Sequence, residues 1–320
     1  MINRYDTFTQ LKEVIVGTVN PSVCHIIKNE TEREFMLNML ESVKDTQDQM
    51  ADIFQSMNIV VHRPKPITLQ KPTVTPHVEM PAMCNPVAPA DNYLTIANTI
   101  VHCANVSPHY YFDHEQYQHI WQAQFAQGAR WIGMPRPTFA SDIEPQLDAP
   151  AVMLVGNTIF YANRTVTTPQ GIAWLQQEFD QFEYVPIDYP AHLDCFFHVL
   201  RPGVLLSSVS KYQLPECLHS WDIIPLQTAG SYADVRVIDN FIQDDDWANT
   251  ELGVNCVSIN ESTVMMMRHG VEQNPLTVKA IEQHGIDIIP VDYTAAKWMN
   301  QGLTCMINQL SREGGLENYF

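Results

Sequence analysis

Short apolar runs rich in β-branched and aromatic residues recur along the chain, with Asn or Gly between neighbouring runs. This composition is typical of strands joined by tight turns. The clearest pair of runs, at residues 152–162, turns at Gly156 and Asn157. We therefore expect strands or hairpins to begin near residues 11, 93, 152, 203 and 256.

A helical stretch and then a short strand follow each of these segments. Apolar residues at helical spacing predict helices at residues 32–57, 113–127, 168–179 and 275–284, and a weaker one at 211–219. Pro275 fits the first turn of its helix, and Gly128 and Gly285 fit the position just after a helix end. The short strands are predicted at residues 59–61, 131–134, 184–187, 221–226 and 286–291.

The resulting order of strand, strand, helix and strand occurs about five times. No Pro-, Gly- or Ser-rich linker divides the chain, so we expect residues 1–320 to form a single α/β domain. Five such units in a radial arrangement would leave few open sheet edges and would enclose a central channel. Periodicity alone leaves an ordinary mixed α/β sandwich as the rival architecture.

Composition and charge restrict the class of protein more than its function. The chain is 45% hydrophobic and has no apolar run of 18 residues, which excludes a disordered polypeptide and predicts no membrane-spanning helix. Its net charge of −18 disfavours nucleic acid as a partner, because phosphates need Lys and Arg. The first residues resemble no secretory signal, so we expect a cytoplasmic protein without membrane partners.

The cysteines, seven in number, indicate neither a disulfide framework nor a zinc site. Their number is odd and none has zinc-ligand spacing, so most are expected to be reduced and buried, and no metal is predicted. The acidic run at residues 244–246 is interpreted as a solvated loop, since it lacks the spacing of a calcium-binding loop.

Polar residues that could perform chemistry stand at the junctions between units. They are Asp91, Asp148, His192, Asp194 and Cys305. A cysteine thiolate is a strong nucleophile when its pKa is lowered, and a histidine can transfer protons. Carboxylates match the planar fork of a guanidinium group. Each residue alone is more often structural, so only their joint convergence in a closed ring would indicate an active site.

Several segments resemble the amidinotransferase family, in order and over nearly the whole chain. Residues 192–207 are similar to its "His-x-Asp-x-x-Phe … Pro-Gly-x-x-Leu-Ser" segment, and residues 144–149 to its "Glu-Pro-x-Phe-Asp-Ala" segment. Residues 11–17, 125–137 and 255–258 resemble further family segments. The resemblance implies a five-bladed α/β propeller of ββαβ repeats with pseudo-fivefold symmetry.

The resemblance also implies roles for the junction residues. Cys305 would be the nucleophile, His192 the acid and base, and Asp194 the partner of His192, with Asp91 and Asp148 anchoring the guanidinium. The implied enzyme uses no cofactor. Cys305 would take the amidino group of L-arginine or an analogue in a ping-pong reaction that releases ornithine, and a primary amine such as glycine would then accept the group. A homodimer is implied by family analogy alone.

The sequence departs from the family pattern around the substrate. Thr304 stands before the nucleophile, where the family has His, and Ile307 replaces a hydroxyl residue. The arginine expected to hold the donor carboxylate aligns with Lys211, and paired serines align near Asn249. Lys211, Asn249 and Thr304 are therefore the predicted substrate-binding residues beside the two anchoring aspartates.

Two alternative functions stay open at this point. One is a hydrolase of the same architecture, related to arginine deiminase, in which water resolves the adduct. The other is a binding protein for guanidino compounds with weakened turnover, suggested by the departures at Thr304, Ile307 and Lys211. The amidinotransferase and both alternatives imply small molecules as the partners of this protein.

Overall fold

The structure is a computed structural model that describes residues 1–68, 72–74, 76–80, 87–140, 143–226, 253–295 and 301–320. Among these residues, no helix is both long and apolar enough to cross a bilayer. Asn249 and residues 244–246, which carried two of the predictions, lie outside the described residues.

The described structure contains five sheets of three strands each. In chain order the strands are β1 (Leu11–Val16), β2 (Val60–His62), β3 (Thr73–Val74), β4 (Glu79–Met80), β5 (Tyr93–Ile96), β6 (Thr99–His102), β7 (Arg130–Gly133), β8 (Val152–Val155), β9 (Thr158–Ala162), β10 (Glu183–Ile187), β11 (Phe197–Arg201), β12 (Val204–Ser207), β13 (Asp222–Pro225), β14 (Val257–Asn260), β15 (Thr263–Met267), β16 (Asp287–Val291) and β17 (Ile307–Arg312). The short β3–β4 pair stands apart from the sheets.

Helices connect the second and third strands of the sheets. They are α1 (Glu30–Ser56), α2 (His114–Ala126), α3 (Pro169–Glu178), α4 (Arg268–Gln273) and α5 (Pro275–Gln283). The side chains of Asn29 and Thr168 accept backbone N–H bonds at the starts of α1 and α3, and Pro169 and Pro275 occupy first turns. In the fourth sheet the connection consists of two short 3₁₀ helices, Lys211–Gln213 and Glu216–Leu218.

Each sheet has the same internal topology. An antiparallel pair leads to a third strand that lies parallel to the second, in the orders β5-β6-β7, β8-β9-β10, β11-β12-β13 and β14-β15-β16. The first sheet follows the order β17-β1-β2, so its first strand comes from the end of the chain. Pairing of β17 with β1 therefore joins the two ends of the described chain within one sheet.

Burial falls from the first to the third strand of every sheet. The first strands β5 and β8 are buried throughout, whereas β2 and β7 have no fully buried residue. The first strands therefore face the interior of the molecule and the third strands lie at its periphery. This gradient is the one expected when sheets are arranged radially around an axis.

Four hydrophobic clusters join neighbouring sheets into a closed ring. One cluster joins the first sheet to the second, and another spans the second, third and fourth sheets. A third joins the fourth to the fifth, and the last joins the fifth back to the first. In β15, Met265 and Met267 belong to one cluster and Met266 to another, because successive side chains point to opposite faces. Both faces of a sheet are thus buried against neighbours.

The predicted units agree with this architecture except in three respects. The hairpin of the fourth sheet begins at Phe197, and Gly203, expected at a strand start, lies in the turn with a φ of +82°. The strand β17 was not predicted, because its partner in the ladder is almost 300 residues away in sequence. The weak helix at residues 211–219 is replaced by the two 3₁₀ turns.

The last residues of the chain pack against the turn of the third sheet. The ring of Phe320 stacks on Trp221 with centroids 5.3 Å apart, and the backbone N–H of Asn157 donates to the carbonyl oxygen of Glu317 at 2.7 Å. A Cβ atom added at Gly156 would stand 2.0 Å from that carbonyl oxygen. The absence of a side chain at Gly156 therefore permits the C-terminal segment to dock.

Replacing Gly156 with alanine is expected to lower the free energy of unfolding by about 2–4 kcal/mol, since strain at a φ of +65° adds to the clash with Glu317. Gly203→Ala is the matched control, because Gly203 has a φ of +82° in an equivalent turn but open space around the added Cβ. Urea unfolding of both variants measures the difference. Equal losses would show that the tail contact contributes nothing to stability.

Candidate active site

The predicted chemical residues stand just before the innermost strands. Asp91 precedes β5, Asp148 precedes β8, Asp194 precedes β11 and Cys305 precedes β17. The charges of Asp91 and Asp194 act on Cys305, and those of Asp91, Asp148 and Asp194 act on His192. Residues spread over 215 positions of sequence thus share one electrostatic environment at the centre of the ring.

The thiol of Cys305 is buried, with 5% of the residue exposed. The backbone N–H of Gly302 lies 3.4 Å from its Sγ, Asn255 Nδ2 lies 3.8 Å away and Asp194 Oδ2 lies 4.0 Å away. Burial and the nearby carboxylates of Asp194 and Asp91 raise the pKa of the thiol well above its usual value, against the two N–H donors. The lowered pKa that a nucleophile needs is therefore not present in the protein without substrate.

Thr304 contacts both Asp194 and Asn255, two of the residues that surround the thiol of Cys305. Its hydroxyl contacts both Asp194 Oδ2 and Asn255 Oδ1, the latter at 2.7 Å, and its backbone N–H donates to Asn255 Oδ1 at 2.8 Å. These contacts leave the amide nitrogen of Asn255 directed at the sulfur of Cys305. A Cβ at Gly302 would stand 2.1 Å from Asn255, so this glycine leaves room for the amide.

His192 interacts with the three aspartates in different ways. Its Nε2 donates to Asp148 Oδ2 at 3.4 Å, whereas Asp91 and Asp194 act on it through charge alone. Burial lowers the pKa of His192, but the hydrogen bond to Asp148 and the charges of Asp91 and Asp194 outweigh burial and raise it to about 9. A pKa of about 9 places the imidazole in its cationic form, with both ring nitrogens protonated, at neutral pH. Asp148 is itself held by the backbone N–H of Val106, which donates to Oδ1 at 3.0 Å.

Among the described residues, the carboxyl group of Asp91 has fewer hydrogen-bond partners than that of Asp148 or Asp194. Tyr110 donates its hydroxyl to Asp91 Oδ2 at 2.5 Å, whereas the buried Oδ1 has no hydrogen-bond partner among the described residues. Burial raises the pKa of Asp91 to about 6, more than His192 and Tyr110 lower it. A buried carboxyl oxygen without a donor is suited to accept a hydrogen bond from a bound ligand.

Together these groups present three carboxyl groups, one imidazole and one thiol around a single site. Such a set fits a planar cation whose N–H groups point at the carboxyl oxygens while its carbon faces the sulfur. Within the described chain, no three His, Cys, Asp or Glu side chains are placed to hold a metal ion.

Other predicted or overlooked residues have distinct positions. Lys211 is exposed at the start of its 3₁₀ helix, on the connection after β12. Ile307 is buried as the first residue of β17. Three residues that contact the site, Asn255, Gly302 and Tyr110, were not predicted from the sequence. Only Asn255 had a signal, its place in the family-like segment 255–258.

Comparison with known proteins gives relatives in sequence but no match to a family model. The chain is 23% identical to inosamine-phosphate amidinotransferase 1 of Streptomyces glaucescens over 301 residues, which covers 87% of this chain and 83% of the relative. It is 24% identical to the mitochondrial glycine amidinotransferase of Xenopus tropicalis over 368 aligned positions, covering 99% of this chain and 84% of the relative.

Solved structures share the fold. The amidinotransferase SxtG of Microseira wollei, from the saxitoxin biosynthetic pathway, superimposes with a TM-score of 0.82 at 22% identity, covering 100% of this chain and 99% of its own. The inosamine-phosphate amidinotransferase StrB1 of Streptomyces griseus gives 0.82 at 21% identity with the same coverage. DDAH of Pseudomonas aeruginosa gives 0.63 at 13% identity, covering 93% and 98%. The five-bladed propeller-like fold and the resemblance to amidinotransferases are therefore confirmed.

Proposed function

We propose that this relative of the amidinotransferases transfers the amidino group of L-arginine, or a close analogue, to a primary amine through a covalent adduct on Cys305. The observation that supports it is the buried thiol flanked by Asp91 and Asp194, which also act on the protonated His192. The similarity to glycine and inosamine-phosphate amidinotransferases supports transfer as the reaction class.

Binding of the donor activates the nucleophile in this proposal. The guanidinium cation hydrogen-bonds to the carboxyl groups of Asp91 and Asp148, including the free Oδ1 of Asp91. Its positive charge offsets the carboxylates that raise the pKa of Cys305, so the thiol releases its proton to solvent. The N–H of Gly302 and the amide of Asn255 stabilise the thiolate.

The first half-reaction breaks the bond between the amidino carbon and the chain nitrogen of arginine. The thiolate attacks the carbon, and His192 gives its proton to the departing nitrogen, which leaves as the amine of ornithine. A pKa of about 9 makes His192 a proton donor at neutral pH. The product is an S-amidino adduct of Cys305 and a neutral His192.

The second half-reaction returns the enzyme to its starting state. The acceptor amine attacks the amidino carbon while His192 takes a proton from its nitrogen. The carbon–sulfur bond breaks, and the sulfur leaves as the thiolate, which takes a proton back from solvent when the cationic product departs. Glycine is the default acceptor from the family resemblance, and Lys211 is the proposed partner of the donor carboxylate.

Incubation with guanidino-labelled arginine, with and without amines, tests the proposal. We expect label on Cys305 with arginine alone, and ornithine together with a labelled guanidino product when glycine is added. Absence of both labelled species would contradict it. Citrulline and ammonia in place of ornithine would instead identify the hydrolase alternative, for which the likeness to DDAH supplies only a shared fold.

The dependence of kcat/KM on pH follows from three groups of the free protein. Cys305 must lose a proton from a thiol whose pKa is raised well above its usual value, so kcat/KM is expected to rise with pH. Asp91 must be ionised to hold the cation and has a pKa of about 6, so the rise is expected to be steeper below pH 6. His192 must be protonated to release ornithine and has a pKa of about 9, so kcat/KM is expected to level off above pH 9. Steady-state rates from pH 5 to 10 measure both changes of slope, and a profile that keeps rising above pH 9 would contradict the role of His192.

A further inference from the structure

A polar cavity adjoins the candidate site over the second sheet. Its walls include Asn105, Ser107, Tyr110, Tyr111, Arg136 and Phe139, and we call it the Arg136 cavity. No Asp or Glu side chain is among the described residues that line it. In a chain with 36 acidic and 18 basic residues, a cavity with a cation and no carboxylate is unusual.

Arg136 supplies the charge of this cavity and has no acidic partner among the residues that the structure describes. Its guanidinium lies 5.0 Å from the ring centroid of Tyr111, and its Nη2 is 2.8 Å from His114 Nε2. None of the ion pairs found among the described residues includes Arg136. Its planar fork is therefore oriented by neutral neighbours and is available to an anion.

The imidazoles beside Arg136 add no competing charge. Burial, His114 and Arg136 together lower the pKa of His102 to about 4, and burial and Arg136 lower the pKa of His114. The nearby rings are therefore neutral at physiological pH. Among the described residues that line it, the cavity therefore presents one fixed positive charge, that of Arg136.

Two side chains connect the Arg136 cavity directly to Asp91. Tyr110, which lines the cavity, donates its hydroxyl to Asp91 Oδ2 at 2.5 Å. Asn105, also in the wall, donates its Nδ2 to the backbone oxygen of Asp91 at 3.1 Å. A ligand with a cationic nitrogen group at Asp91 and an anionic group elsewhere could reach Arg136 past these two residues.

The outer wall of the cavity is held in a strained conformation. Phe139 has a φ of +58°, which is costly for a residue with a side chain. The carboxylate of Glu144 accepts the backbone N–H groups of Thr138 at 2.8 Å and Phe139 at 3.0 Å, and this fixes the loop after Arg136. Glu144 belongs to the family-like segment 144–149, so that segment organises the cavity wall as well as supplying Asp148.

We propose that the Arg136 cavity binds a carboxylate or phosphate group carried by a substrate whose nitrogen end lies at Asp91, so that Arg136 determines substrate specificity. This inference rests on the proposed function for the identity of the reaction. The anionic group can belong to the donor or to the acceptor, and matched substrate pairs distinguish the two sources.

The donor is tested with arginine and agmatine, which differ only by the carboxylate. The acceptor is tested with glycine against methylamine, and with phosphoethanolamine against ethanolamine. Arg136→Gln is expected to raise KM roughly 10- to 100-fold for the anionic member of at least one pair, the range for loss of a hydrogen-bonded charge. KM for the neutral member of that pair, and kcat for both, are expected to stay unchanged.

Two further variants separate recognition from general damage. Arg136→Lys keeps the charge without the fork, so its KM is expected to lie between those of the wild type and Arg136→Gln. Arg130→Gln is the matched control, because Arg130 begins the adjacent strand β7 and pairs with Glu178 at the surface. Lys211→Gln shows whether Lys211 or Arg136 recognises the donor carboxylate.

The outcomes test the inference separately from the proposed function. If Arg136→Gln affects both members of every pair equally, or neither, Arg136 does not recognise an anion and the inference is wrong even though transfer occurs. If the wild type transfers no amidino group, the proposed function is wrong. In that case, calorimetric binding of arginine and agmatine to the wild type and Arg136→Gln still measures whether Arg136 discriminates the carboxylate, and equal loss for both ligands overturns the inference.

Discussion

Cys305→Ser is expected to abolish amidino transfer, lowering kcat by on the order of 10⁴ or more, because in the proposed mechanism the sulfur of Cys305 forms the adduct. A serine hydroxyl is far less acidic than a thiol, and the surroundings of residue 305 already disfavour the ionised form of its side chain. Burial and the charges of Asp194 and Asp91 raise the pKa even of the thiol. The positive charge of a bound guanidinium is then insufficient to ionise the hydroxyl.

In Cys305→Ser, the effect on arginine binding can be measured separately from the effect on amidino transfer. The carboxyl groups that hold the cation stay in place, so the Kd of arginine is expected to change little, and calorimetry measures it. Intact-protein mass spectrometry after incubation with arginine alone should show an amidino adduct on the wild type and none on Cys305→Ser. Cys217→Ser is the control, since Cys217 is a half-buried cysteine in the 3₁₀ helix of the fourth sheet. An adduct that persists in Cys305→Ser would place the nucleophile elsewhere.

Asp91→Asn is expected to lower kcat/KM for arginine by roughly 10²- to 10³-fold, the range for removing one partner of a buried ion pair. The asparagine can still accept the hydroxyl of Tyr110, so the local fold is preserved. What is lost is the negative charge beside the cation, together with the free acceptor of the buried Oδ1. The loss should appear in arginine binding as well as in kcat, because the carboxylate holds the same cation before and during the reaction.

The pH profile distinguishes this role from a structural one. In Asp91→Asn the steeper rise of kcat/KM below pH 6 should disappear, since the group with the pKa of about 6 is gone. The levelling above pH 9 should remain, because it belongs to His192. Asp222→Asn, at an exposed position on β13, serves as the control for a lost surface charge. An unchanged acid limb would show that another group controls it.

The local pattern of apolar residues predicts most of the helices and strands, but it does not predict how the ring of sheets closes. The apolar runs and the helix boundaries depend on residues within a few positions of one another, so α1 was predicted as residues 32–57 and is found at Glu30–Ser56. The strand β17 carries no comparable signal, because it acquires its identity by pairing with β1. The fourth sheet shows the same limit, since the start at Phe197 follows from pairing with Ser207.

At the candidate site, the sequence predicted which residues take part but not which of them are in contact. Their positions at the junctions between units identified Asp91, Asp148, His192, Asp194 and Cys305 as candidates, and the roles that the family resemblance implies for them stay predictions until tested. The partners of these residues were harder to foresee. The hydrogen bond of His192 goes to Asp148, and the contacts of Asp194 are with Thr304 and the two cysteine thiols, Cys195 and Cys305. Spacing along the chain cannot distinguish between carboxylates that meet only in the folded protein.

By itself, the sequence determined the repeating strand–strand–helix–strand unit and the chemical types of the junction residues, because both depend on neighbours in the chain. Only the tertiary structure decided the charge state of the site. The pKa of a thiol or an imidazole depends on which groups lie within a few ångströms and on the exclusion of water. Both conditions arise when strands from opposite ends of the chain come together around one axis, and that is why the pKa of Cys305 is raised well above its usual value and that of His192 is raised to about 9.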